Sequence, residues 1–62
     1  MITYYLYRKG PNGFDPLINT YDELDEAIED GEREYDKNGR VHYVVVVVDG
    51  KLHDTVFAVG QA

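Results

Sequence analysis

The chain has 62 residues, 12 acidic and 6 basic side chains, a formal net charge of −6, and neither cysteine nor serine. That length suits a single domain over 1–62 in which folding hides only about 60% of the unfolded surface. Missing thiols and serine hydroxyls exclude disulfide staples, thiolate metal sites and the usual nucleophiles, and the acidic balance disfavours direct contact with nucleic acid or an anionic membrane.

The first segment, "ITYYLYR", alternates as a strand does: Ile2, Tyr4 and Leu6 share one face, and Thr3, Tyr5 and Tyr7 the other. "KGPNGF" carries turn chemistry in Gly10, Pro11 and the Asn12-Gly13 pair. A short extended arm or second strand is expected over Phe14–Ile18, kept to a sheet edge by Pro16. Thr20 and Glu23 have the spacing of a capping box, and Leu24, Ala27, Ile28, Gly31 and Tyr35 form one apolar helical stripe. Gly31 on that stripe points either to close approach of helix and sheet or to fraying of the helix. Gly39 in "DKNGR" is positioned to end the helix in a left-handed cap.

Residues Val41–Val48 and Lys51–Val59 read as a hairpin closed by a two-residue Asp49-Gly50 turn. In an uninterrupted register Val48 faces Lys51, Val47 faces Leu52, Val45 faces Asp54 and Tyr43 faces Val56. One face then holds Val41, Tyr43, Val45, Val47, Leu52, Asp54, Val56 and Ala58, where the helix is expected to lie. The other holds His42, Val44, Val46, Val48, Lys51, His53, Thr55, Phe57 and Val59. The expected fold is α+β: a mainly antiparallel sheet of three to four strands with one acidic helix packed on one face, in the order β-(β)-α-β-β.

One helix covers one face. The second face, with Val44, Val46, Val48 and Phe57 joined by Tyr5 and Tyr7, is therefore a possible second interface, for a homodimer among other occupants. The alternatives are the 14–18 arm folded across it, or scattered exposed valines.

His42 and His53 lie four residues apart along the hairpin, roughly 13 Å, too far to share a metal, and read as sheet-surface residues. No catalytic residue, metal site or cofactor is expected. Nine of the twelve acids fall between Asp22 and Asp36, with Arg33 the one base among them. Asp22, Asp25, Glu26, Glu29, Asp30, Glu32 and Asp36 thus form a candidate partner-binding face, suited to a basic protein surface; a merely solvated face is the simpler reading. No segment reads as a signal peptide or membrane span, so a cytoplasmic setting is expected.

The stretch from Phe14, above all "LDEAIE" (Leu24–Glu29) with Glu32, Tyr35 and Gly39, resembles the small podophage-encoded inhibitors of bacterial RNA polymerase. That family's functional arginines fall where this chain has Val44 and Val46. The resemblance implies a small acidic α+β protein, viral in origin and acting in the host cytoplasm, that binds and occludes a host protein; the acidic helix face suits a basic or nucleic-acid-binding surface there, as a DNA mimic would. A homodimeric structural or accessory module is the alternative, and a domain with no partner a third.

Overall fold

The computed structural model describes residues 1–60. Four strands and one helix follow in order: β1 (Ile2–Arg8), β2 (Leu17–Tyr21), α1 (Leu24–Asn38), β3 (His42–Val48) and β4 (Lys51–Val59). The strands form one sheet in the order β2-β1-β3-β4, and every neighbouring pair is antiparallel. The helix packs on one face of this sheet, giving the expected α+β architecture with four strands. The valine run occupies a central strand, flanked on both sides.

The second strand differs from expectation. It begins at Leu17 and runs to Tyr21, so Phe14–Pro16 belong to the preceding loop and Thr20 pairs with Tyr5 inside the sheet. That pairing breaks the Thr20–Glu23 capping box. The helix starts at Leu24, and Glu23, at its N-cap, makes no side-chain capping bond. The C-terminal end follows expectation: Gly39 has φ of 70°, and its N–H donates to the Tyr35 carbonyl at 2.7 Å.

The hairpin turn is also as expected, with Asp49 and Gly50 both at positive φ. Next to it, Val48 faces Lys51 and Val47 faces Leu52. Farther along, β4 carries two bulges. His53 and Asp54 together oppose Val46, Thr55 faces Val45, Val56 is a second extra residue, and Tyr43 faces Ala58 rather than Val56. The first bulge moves Thr55 onto the face that carries Val45. The second restores the original alternation, leaving Phe57 beside Val44.

The helix lies on the opposite face from the one expected. Leu6, Ala27 and Val44 are the buried core, with Tyr4, Ile18, Tyr21, Leu24 and Phe57 packed against it. A Cβ built on Gly31 would sit 3.3 Å from Leu6 Cδ1 and 3.7 Å from Val59 Cγ1, so the helix backbone runs close over β1 and β4. His42 shares this covered side and is fully buried, which corrects its reading as a surface residue. Its Nδ1–H donates to the Arg40 carbonyl at 2.8 Å, while Nε2 has no partner.

The other face needs no helix because tyrosines roof it. Val45 and Val47 lie on this side, yet only 6% and 3% of their surface is exposed. Tyr5 pairs beside Val45, and Tyr7 stacks on Tyr43 with ring centroids 5.4 Å apart. A tyrosine can shield a valine with its ring while keeping its hydroxyl wet, which an aliphatic side chain cannot do.

Candidate functional site

The acidic face is built by helical spacing. Ala27 and Gly31 are buried against the sheet, so positions half a turn away must face water. Asp25, Glu29, Glu32 and Asp36 recur at intervals of four, three and four along one exposed edge of α1, with Glu26 beside them. Asp22 precedes the helix and is also exposed. Asp30 is different: it is half-buried and already engaged. Tyr21 Oη donates to Asp30 Oδ2 at 2.7 Å, and Arg33 Nη1 donates to Oδ1 at 2.6 Å. Burial, then the hydrogen bond to this carboxylate, raise the Tyr21 hydroxyl pKa above its ordinary value.

Arg33 therefore stands within the acid stripe and neutralises part of it. A second ion pair, Lys37–Glu34 at 3.7 Å, lies near the helix C-terminus. Among the described residues Asp22, Asp25, Glu26, Glu29, Glu32 and Asp36 have no ion-pair partner. Tyr21, Glu26, Glu29, Asp30 and Arg33 line a shallow depression on this flank. The structure thus leaves six of the seven expected acids exposed, five of them on α1, and turns the seventh, Asp30, into a structural contact.

The expected second interface is not one surface. Val44 and Phe57 lie beneath the helix, and Val46 and Val48 share their side of the sheet by alternation. Tyr5 and Tyr7 stand on the opposite face, with Thr3, Tyr43, Val45, Val47, Thr55 and Ala58. The grouping failed because β1 pairs with β3 in a register that sets Tyr5 beside Val45 and Leu6 beside Val44, so the tyrosines and the even-numbered valines fall on opposite faces.

The loop between β1 and β2 is a feature the sequence pattern did not mark as a site. Asp15 ties it to the sheet: Gly10 N–H donates to Oδ1 at 2.9 Å, and Tyr43 Oη donates to Oδ2 at 2.5 Å. The Gly10 amide and the Tyr43 hydroxyl hold the Asp15 carboxyl below its ordinary range. Burial, then the Asp15 contact, push Tyr43 up to about 12. Among the described residues no group of three or more His, Asp or Glu side chains is placed to hold a metal ion. No helix among them is long and apolar enough to cross a membrane. No protein-family model matches the chain, and no curated protein or solved structure matches it either.

Proposed function

We propose that this chain is a non-enzymatic protein-binding module whose acidic helix face docks on a basic surface of another protein. The observation that supports it is the run of exposed, unpaired carboxylates on α1, from Asp25 and Glu26 through Glu29 and Glu32 to Asp36. Concentrating like charge on one helix face costs helix stability, and it yields fast, salt-sensitive attraction to cationic surfaces. Occlusion of a nucleic-acid-binding surface, in the manner of the phage inhibitors that the sequence resembles, is the specific form we favour. The carboxylates would take the places of phosphates.

The test is capture of a cationic partner from bacterial lysate by the tagged chain. The expected partner is released by molar salt, is lost with Glu26→Lys combined with Glu29→Lys, and surrenders bound DNA or RNA when this chain is added. Capture that ignores both salt and charge reversal would sink the proposal. A second reading is self-association through the tyrosine face, favoured by exposed Leu17 and Leu52 at its two margins. It predicts a dimer in sedimentation that Tyr5→Lys dissociates. A monomer at every concentration removes it.

A further inference from the structure

At the end of the sheet near the helix C-terminus, Arg8, Arg40, Gly10, Pro11, Phe14 and Pro16 line an open groove of about 450 Å³. Three features set it apart from ordinary surface. First, Arg8 and Arg40 have no carboxylate within ion-pair distance among the described residues, although the chain has twice as many acids as bases. Second, Phe14 is 75% exposed, with no core to explain it.

Third, the groove is held in shape before any ligand arrives. Arg8 N–H donates to the Pro16 carbonyl at 3.1 Å. Arg40 N–H donates to Asn38 Oδ1 at 3.0 Å, and its carbonyl accepts from buried His42. Gly10 packs so tightly on the loop that a Cβ there would fall 1.7 Å from the Phe14 carbonyl oxygen. Nearby Asp15 forms no ion pair with either arginine; its two oxygens accept from the Gly10 N–H and the Tyr43 hydroxyl instead.

We propose that this groove binds a phosphate monoester carried on a flat ring, the two guanidinium groups holding the phosphate and Phe14 with the two prolines lying along the ring. Two cations match the charge of a phosphate dianion better than that of a single carboxylate, and guanidinium forks suit its oxygens. Braced backbone at both arginines keeps the ordering cost of binding low. The acidic helix face takes no part.

The test is titration of the ¹⁵N-labelled chain with phenyl phosphate, inorganic phosphate and benzoate, following amide resonances by NMR. Saturable shifts are expected at Gly10, Phe14, Gly39 and Arg40, with phenyl phosphate binding about tenfold more tightly than either other probe. Arg40→Gln, an exposed position whose change spares the fold, should weaken phenyl phosphate about tenfold. Phe14→Ala should keep inorganic phosphate binding and remove the advantage of the phenyl group. Glu26→Lys with Glu29→Lys should leave the titration as it was, which separates this site from the helix face. Absence of saturable shifts, or unchanged binding by a folded Arg40→Gln chain, overturns the site. Equal binding of benzoate overturns the charge assignment, and equal binding of inorganic phosphate overturns the ring contact.

Discussion

Leu6 is where the packing converges. It is fully buried on β1, lies beside Val44, and sits directly under Gly31 of the helix. Leu6→Ala is expected to cost about 2–5 kcal/mol, comparable to the whole stability of so small a domain, and to leave the chain largely unfolded by circular dichroism. Gly31 is a glycine for reasons of space. Gly31→Ala gains helix propensity but presses Leu6, and should leave the urea midpoint nearly unchanged; Gly31→Leu should lower stability by about 2 kcal/mol. Tyr43 sets a response to alkali. Its folded-state pKa is raised from 10.0 to about 12, so the unfolded chain releases this proton first. The contribution is complete below pH 10 and is lost as pH rises towards 12. Urea midpoints measured across that range should fall, and Tyr43→Phe should flatten the fall; an unaltered slope would count against the Asp15–Tyr43 contact.

At the scale of elements, the two ends of α1 contrast. The C-terminal end has a left-handed glycine cap, whereas Glu23 at the N-terminal end offers no capping bond. Glu23→Asp shortens the side chain to one that reaches the amides of the first turn. It should raise stability by about 0.5–1 kcal/mol, seen as a higher urea midpoint. The same contrast shows what the sequence made legible. Asp49-Gly50 and Gly39 could be read because positive φ is a local demand that few residues meet. The apolar stripe of the helix was legible through its period. The N-terminus was not: Thr20 satisfies the capping spacing, yet its pairing with Tyr5 outweighs one side-chain hydrogen bond. Nor were the β4 bulges legible, because "HDTVF" alternates in no way that marks an extra residue. Choosing which sheet face the helix would cover required knowing that tyrosines could roof the other one. As for the candidate sites, the acids of α1 were visible as a charge run. The arginine groove was not, since Arg8 and Arg40 meet only through the β1–β3 pairing.

Across the whole molecule the charge is segregated. Unpaired carboxylates spread along α1, while Arg8, Lys9 and Arg40 gather at one end of the sheet. Mutual repulsion along the helix should outweigh its two ion pairs, Arg33–Asp30 and Lys37–Glu34. Added sodium chloride screens such repulsion within about 10 Å at moderate strength, so the melting temperature should rise with salt. A fall would show that the ion pairs dominate.

The bulges described in the fold also bear on how the chain avoids its own copies. Five consecutive valines are an aggregation hazard, since an exposed strand of that composition offers a template for cross-β growth. Here the run is held in β3, hydrogen-bonded on both sides, and both outer strands are irregular. In β2 the extra residue is Ile18; in β4 His53 and Asp54 share the single partner Val46, and Val56 is a further extra residue. A bulged edge twists away from the flat geometry that strand addition needs. The irregularity of β4 thus protects the regularity of β3: loss of β4 would open the valine run to other chains, and fibre formation would compete with refolding.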